Sequence, residues 1–165
     1  MISPHFEDPW AKPMRKALDE ARTARDIGEV PVGALVINPN GEILAAAHNR
    51  TESDVDPSGH AEILALRQAA KNVGNHRLTG SVLVATLEPC LMCLGAMVQA
   101  RVAGLVFGAR DPRAGAVLSR INVNDLDWLN HRFWVLEGVQ AEESATLLRE
   151  FFTQRRNRTQ PTGSV

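Results

Sequence analysis

The sequence predicts an α/β protein: a three-layer α/β/α sandwich with a five-stranded mixed sheet. Segments with strand and helix patterns follow the order β-β-α-β-α-β-β-α after a first helix, which suits a sheet covered by helices on both faces. Beyond residue 60, strands alternate with helices, as in right-handed parallel crossover units. The composition agrees, because 44% of the 165 residues are hydrophobic and 22% are charged, as expected for one domain with a substantial core.

The first helix and the first two strands have clear local signals. In order, the sequence predicts a helix over 12–26, strands over 32–38 and 41–49, a helix over 60–73, a strand over 81–87, a helix over 90–100, strands over 104–109 and 132–139, and a helix over 142–156. Pro13 falls in the first turn of its helix, where proline is tolerated, and Gly28 follows the end of that helix. The turn "NPNG" has Pro39 at its second position, so its flanking strands should form an antiparallel hairpin.

The later elements are predicted from their composition. "HAEILALRQAAKNV" combines strong helix formers with an apolar face, while "SVLVATL" and "GLVFGA" are apolar runs of the length of buried strands. The closing helix places Leu148, Phe151 and Phe152 on one stripe. We therefore expect residues 1–156 to form a single domain and the polar residues 157–165 to form a disordered tail.

Charge and cysteine content narrow the classes of function. The net charge is −1, from 18 Lys plus Arg against 19 Asp plus Glu, so any nucleic-acid contact must come from a local basic patch. No apolar run approaches the roughly 18–20 residues of a membrane span, and the first residues lack the layout of a signal peptide. Two cysteines so close in sequence build no disulfide framework. We expect a cytoplasmic protein with no membrane partner.

Two predicted helices begin with side chains that bind metals. Cys90 and Cys93 are the only cysteines, and their i, i+3 spacing places both sulfurs on one helix face, where the helix N-terminus favours the thiolate. His60 begins the other helix and would be a third ligand. A catalytic zinc site has three protein ligands and leaves the fourth position for water, and Glu62 could move the proton of that water. The pattern H-x-E…P-C-x-x-C is the signature of zinc nucleobase deaminases.

Two other interpretations of these residues stay open. A C-x-x-C pair can be a thioredoxin-like redox disulfide, which needs no H-x-E motif nearby. A structural zinc site would need a fourth ligand, for which His48, His76 and His131 are available. A structural site has no use for an acid–base group such as Glu62.

Several longer stretches resemble the bacterial tRNA-specific adenosine deaminases of the cytidine deaminase superfamily. They run in order through residues 14–156 and are "VPVGALVI", "HNR", "DPSGHAEILALRQ", "TLEPCLMCLGAMVQAR", "VFGARDPRAGA", "LNHR" and "LLREFFTQRR". The resemblance implies a cytidine deaminase-like fold and hydrolytic conversion of adenosine to inosine at the wobble position of a tRNA anticodon loop. It also implies a homodimer with one Zn²⁺ per subunit and an RNA partner rather than DNA.

The resemblance also assigns roles to individual residues. His60, Cys90 and Cys93 would bind zinc; water on the zinc would attack C6 of the adenine, and Glu62 would protonate N1 and then the departing amine. The expected substrate-binding residues are Asn49 against the flipped nucleotide, Val30, Pro31 and Ala61 as walls around the base, and Asp111 at the nucleotide backbone. Without the resemblance, these five residues could equally be turn or packing residues.

The closing helix contains a second candidate RNA contact. Phe152 could stack on an unpaired base, and Arg155 and Arg156 could pair with phosphates, whereas Phe151 is expected in the core. The alternative is a solvated helix end, where arginines are favoured by the helix dipole.

Two competing functions remain, a zinc deaminase of a free base or nucleoside of the cytosine or guanine type, and a non-catalytic RNA-binding module. The "FGARD" loop and the Arg/Phe helix favour the tRNA enzyme over the small-molecule enzyme.

Overall fold

The computed structural model describes residues 8–159, and side chains as far as Arg158. Within that range, the elements are α1 (Ala11–Asp26), β1 (Gly33–Ile37), β2 (Ile43–His48), α2 (Ala61–Val73), β3 (Val82–Leu87), α3 (Leu91–Ala100), β4 (Gly104–Ala109), a 3₁₀ turn (Val123–Asp125), β5 (Trp134–Glu137) and α4 (Ala141–Thr159). The predicted order of helices and strands is confirmed; the 3₁₀ turn was not predicted.

The five strands form one mixed sheet in the order β2-β1-β3-β4-β5. β1 pairs antiparallel with both β2 and β3, whereas β3–β4 and β4–β5 are parallel. The antiparallel β1–β2 hairpin and the parallel pairing after residue 60 confirm the predicted mixed sheet. β5, which the charges and Trp134 made hard to assign, is a four-residue edge strand with mostly exposed side chains.

Helices cover both faces of the sheet, so the three central strands, β1, β3 and β4, each contribute to two cores. In β1, Ala34 and Val36 belong to the core shared with α2 and α3, whereas Leu35 and Ile37 belong to the core shared with α1. α4 contacts β3, β4 and α1. This alternation follows from the two-residue period of a strand. None of the helices within residues 8–159 combines the length and apolar character that crossing a membrane requires.

The end of α4 differs from the sequence prediction. The helix continues to Thr159, so the first three residues of the segment predicted as a disordered tail, 157–159, are helical. This stretch contains Arg158, and a basic residue at a helix C-terminus interacts favourably with the helix dipole. The interaction stabilises helical structure in a segment whose polar composition suggested a disordered tail. The remaining tail residues, 160–165, lie outside the described part of the chain.

Candidate active site

The register of the sheet brings the predicted site residues to one edge. Gly33, at the start of β1, pairs with His48 at the end of β2, and Ala34 pairs with Ala85 near the end of β3. Leu87, the last residue of β3, pairs with the last residue of β4. The segments that carry the candidate residues at 30–31, 49, 88–90 and 111 therefore leave the sheet at the same edge.

His60, Cys90 and Cys93 form the metal-type group that the spacing predicted. His60 and Cys90 are the N-cap residues of α2 and α3, and Cys93 lies in the first turn of α3. His60 Nδ1 is 3.6 Å from each sulfur, and the two sulfurs are 3.7 Å apart. A tetrahedral ion with metal–sulfur bonds of about 2.3 Å and a metal–nitrogen bond of about 2.0 Å requires ligand separations of roughly 3.5–3.8 Å. The triangle fits such an ion.

The two cysteine sulfurs lie close enough to shift each other's pKa. The hydrogen bond from Cys93, joined by one from His60, lowers the pKa of Cys90 to about 3. The same contact with Cys90, together with burial, raises the pKa of Cys93. The hydrogen bond to Cys90 also raises the pKa of His60. A bound cation would require both sulfurs as thiolates and the imidazole as the neutral form, so metal binding would release protons.

Glu62 lies two residues beyond His60, in the first turn of α2, and is only 4% exposed. Burial raises the pKa of its carboxyl group. Within the described residues, Glu62 Oε2 has no hydrogen-bond partner. Buried carboxylate oxygens normally have one, and a group with both features beside metal ligands is suited to taking and giving a proton.

Asn49 is a structural partner of the helix that carries His60 and Glu62. Its side chain is buried, with 8% exposed, and Oδ1 accepts a hydrogen bond from the Ala61 N–H at 2.9 Å. This bond satisfies one of the N–H groups that a helix start leaves unpaired. Because Oδ1 must be the acceptor here, the amide nitrogen is the donor end of the side chain. Asn49 is therefore more than a turn residue.

The other predicted base-binding residues belong to neighbouring segments: Ala61 follows His60 in the chain, and the Asn49 N–H donates to the carbonyl of Val32, the residue after Pro31, at 3.1 Å. Pro31 and Ala61 are buried and Val30 is half-buried. Asp111 accepts hydrogen bonds from the backbone N–H groups of Arg113 and Ala114, at 2.9 and 3.2 Å, so its carboxylate shapes the turn of its own loop.

Phe152, Arg155 and Arg156 lie on α4, which contacts β3, β4 and α1. Phe151 is in the core, as predicted, whereas Phe152 is 42% exposed. Arg155 lines a basic cleft with Arg25 and Arg158, and Gly28 forms part of its wall. That glycine lies two residues before Val30, so the cleft adjoins the segment that leads into β1.

None of the three histidines considered as a fourth ligand of a structural zinc site joins the metal-type group. His48 contacts Glu20 at 2.7 Å, and His131 contacts the Val102 carbonyl at 2.7 Å. His76 is exposed. Across the part of the chain that the structure describes, the metal-type group comprises three residues only, which is the number for a catalytic site rather than a structural one.

Two buried carboxylates near the site were missed by the sequence analysis. Glu29 accepts hydrogen bonds from Thr51 and Ser53, and Glu88 accepts five from the loop 111–119. For both, burial opposes ionisation but the hydrogen bonds outweigh it, so the pKa is lowered. The signal available in the sequence was position, since each acid directly precedes a motif, "VPVGA" or "PCLMC".

Comparison with known proteins agrees with this geometry. Residues 9–156 match the model of the MafB19-like deaminase family. The tRNA-specific adenosine deaminase of Haemophilus influenzae is 46% identical over 145 residues, covering 88% of this chain and 84% of that protein.

Two solved structures are also similar. One, from studies of A-to-I editing by tRNA:A34 deaminases at the wobble position of transfer RNA, has a TM-score of 0.79 at 41% identity and covers 82% of this chain and 97% of its own. A guanine deaminase from Nitrosomonas europaea has a TM-score of 0.77 at 26% identity and covers 93% of this chain and 86% of its own. The fold is thus shared with a free-base enzyme, but the higher identity is with the tRNA enzymes. This chain belongs to the tRNA-specific adenosine deaminases.

Proposed function

We propose that this protein is a zinc-dependent tRNA adenosine deaminase that converts adenosine to inosine at the wobble position of an anticodon loop. The observation that carries the proposal is the ligand triangle of His60, Cys90 and Cys93, with distances that suit a tetrahedral ion, beside the buried carboxylate of Glu62, whose Oε2 has no hydrogen-bond partner among the described residues. The similarity to enzymes named for this reaction supports the same substrate.

The metal in this proposal is one Zn²⁺ per subunit. Two thiolates and an imidazole are soft to intermediate ligands, which suit zinc better than magnesium or calcium. When bound, zinc would act as a Lewis acid that lowers the pKa of a coordinated water from its bulk value toward 7. The group offers three protein ligands, so a zinc ion held there would keep one coordination position open to water.

Glu62 moves the protons of the reaction. Its carboxylate would accept a proton from the attacking water and deliver it to N1 of the adenine as the new C–O bond forms at C6. It would then take the proton of the new C6 hydroxyl group and give it to the amine, so that the C6–N bond breaks and the C6 carbonyl group of inosine forms. Water and adenosine are consumed, and inosine and ammonia are released. A raised pKa suits this work, because a carboxyl group that both takes and gives a proton is most effective when its pKa approaches the working pH.

Four residues would hold the adenine beside Glu62. Asn49 would donate from its amide nitrogen to the flipped nucleotide while its oxygen stays on the Ala61 N–H. Val30, Pro31 and Ala61 would provide apolar walls for the base. Because Glu62 is buried, the target base can reach it only after it has left the stacked bases of the anticodon loop.

The RNA backbone would contact two regions outside the base-binding site. Asp111 lies at the loop after β4, which begins at the same sheet edge as the metal group. Phe152, Arg155 and Arg156 would contact RNA from the end of α4, where Arg25 and Arg158 add positive charge to the adjoining cleft. An exposed aromatic ring among arginines is suited to an unpaired base and its phosphates.

The proposed assembly is a homodimer in the cytoplasm. An apolar groove is lined by Leu91, Leu94 and Val98 of α3 and by Leu126, Trp128 and Leu129 of the loop between β4 and β5, and Trp128 is 72% exposed. The family resemblance implies a homodimer, and we assign the second copy of this chain to that groove because the groove is apolar and exposed. The cytoplasm is proposed because the site needs two reduced sulfurs, which lie 3.7 Å apart and would be open to oxidation in an oxidising compartment.

The test of the function is a substrate panel. Zinc-loaded protein is incubated separately with an anticodon stem-loop RNA carrying adenosine at the wobble position, with the same sequence as DNA, and with free adenosine, cytosine and guanine. We expect inosine in the RNA alone. Turnover of a free base with the RNA unchanged would retain the metal chemistry but refute the tRNA substrate. No turnover of any substrate, with RNA still bound, would indicate a non-catalytic RNA-binding module.

A further inference from the structure

Glu88 joins the end of β3 to the metal ligand Cys90, and its carboxylate is enclosed by the loop that follows β4. The side chain is only 2% exposed. Oε1 accepts hydrogen bonds from the backbone N–H groups of Val117, Leu118 and Ser119, at 3.2, 2.7 and 2.8 Å. Oε2 accepts one from the Asp111 N–H at 3.0 Å and one from the Ser119 hydroxyl.

The backbone fastens the same loop to the residues around Cys90. The Ala116 N–H donates to the Pro89 carbonyl at 2.9 Å, and Gly115 forms an isolated antiparallel bridge with Cys90. The loop is thus held against residues 88–90 at both ends and in the middle. A shift of the loop relative to the metal ligand would break these contacts together.

All five hydrogen bonds to the Glu88 carboxylate come from the loop 111–119. Burying a carboxylate is costly unless hydrogen bonds compensate for the lost contact with water. Because all the compensating bonds come from this loop, they hold the loop in one conformation. Beyond the bridge residue Gly115, the loop has no helix or strand pairing of its own, and loops of this kind open readily unless they are tied to the rest of the fold.

We propose that Glu88 is a positioning residue for the RNA substrate. It fixes the loop 111–119, and Asp111 with it, at one distance from the metal ligand Cys90, so that the nucleotide backbone and the target base are engaged together. The inference rests on the proposed function and deepens it. Loss of Glu88 should therefore weaken productive RNA binding more than the chemical step.

Gly115 provides an independent way to disturb the same contact. A Cβ at this position would lie 2.4 Å from both Cδ and Oε2 of Glu88, and 2.6 Å from the Asp111 carbonyl oxygen. Such distances are too short for any real contact, so Gly115→Ala would displace the carboxylate or the loop. Two different substitutions, one on each side of the contact, should produce the same defect.

The experiment compares Glu88→Gln, Gly115→Ala and the milder Ser119→Ala with a control. The control is Glu42→Gln, the same chemical change at a carboxylate that accepts from Asn38 in the β1–β2 turn. Each protein is loaded with zinc, and three properties are measured: zinc content, amide hydrogen exchange in the loop 111–119, and kcat and KM separately on the stem-loop RNA.

We expect all the variants to keep one zinc. Glu88→Gln and Gly115→Ala should raise KM for the RNA about tenfold or more and keep kcat within about threefold, the pattern of lost binding rather than lost chemistry. Ser119→Ala should give a smaller change in the same direction. The loop amides of Asp111 and 117–119 should exchange faster in these variants, while Glu42→Gln matches the wild type.

A double substitution makes the test sharper. If Glu88 and Gly115 act through one contact, the KM of the double variant should be no higher than that of the worse single variant. Unchanged KM, loss of zinc, or a fall confined to kcat would overturn the positioning role. If wild-type protein makes no inosine, the proposed function fails and the RNA role of Glu88 fails with it, while the exchange rates still decide whether Glu88 orders the loop.

Discussion

Replacing Asn49 in two different ways should separate its structural role from its proposed role in binding the nucleotide. Asn49→Ala removes the acceptor for the Ala61 N–H and the donor proposed for the nucleotide. Asn49→Asp keeps an acceptor, because a carboxylate oxygen can take the place of Oδ1, but it removes the amide donor. A negative charge is tolerated here, since the bond is at the N-terminus of α2.

The expected magnitudes follow from the burial and the geometry of this bond. A capping acceptor at a buried helix start, with a 2.9 Å hydrogen bond, contributes about 1–2 kcal/mol. For a chain of this size, Asn49→Ala should lower the melting temperature by roughly 2–8 °C. Asn49→Asp should stay within about 2 °C of the wild type. Both should lose kcat/KM on the stem-loop RNA by at least about tenfold, because both lack the donor.

The assays are thermal unfolding at a fixed zinc concentration and inosine formation on the stem-loop RNA. The zinc concentration must be held constant because a bound metal raises the apparent stability. If Asn49→Asp is as active as the wild type, the amide donor has no role in binding the nucleotide. An Asn49→Ala protein that melts at the wild-type temperature would show that the bond to Ala61 does not stabilise the start of α2.

Three further predictions concern a buried carboxylate, the basic helix end and the metal. Glu29 has a pKa below its ordinary value of 4.5, so it stabilises the fold above that pH and loses this effect as the pH falls through its lower folded pKa. Glu29→Gln should therefore reduce the free energy of unfolding by roughly 1–3 kcal/mol at pH 7 and make progressively less difference as the pH is lowered below 4.5, as measured by urea titration. Replacing both Arg155 and Arg156 with alanine should weaken RNA binding and reduce the slope of log K against log salt by about 1–2, whereas an unchanged slope would identify a solvated helix end. Cys93→Ser should lose zinc, measured by a colorimetric chelator, and zinc added back to chelator-treated wild-type protein should restore inosine formation.

The metal group could be predicted because its information is local. His60 with Glu62 and Cys90 with Cys93 are each within one helical turn, and each pair lies at a helix start that the sequence also marks. What the sequence could not supply is the distance between the pairs. That distance is set by the pairing of β1 with β3, which involves residues far apart in the chain.

The carboxylates that hold the surrounding loops could not be predicted in the same way. Glu29 and Glu88 find their partners 22 to 31 residues away in the chain, and a single glutamate is normally assigned to the surface when only the sequence is considered. The C-terminal extent of α4 was underestimated because its signal, although local, is weak. Its last residues look like a polar tail, and a favourable helix dipole at a basic end is a weak signal in sequence alone.

The central claim is that Glu62, beside a zinc held by His60, Cys90 and Cys93, deaminates the wobble adenosine. The most direct measurement is the inosine content of transfer RNA, determined by mass spectrometry, after incubation with wild-type and Glu62→Gln proteins that each carry one zinc. We expect the variant to bind zinc and RNA like the wild type but to form inosine at least about 100-fold more slowly, because the proton carrier is gone. A Glu62→Gln protein that forms inosine within about threefold of the wild-type rate would contradict the assignment of Glu62 as the acid–base group.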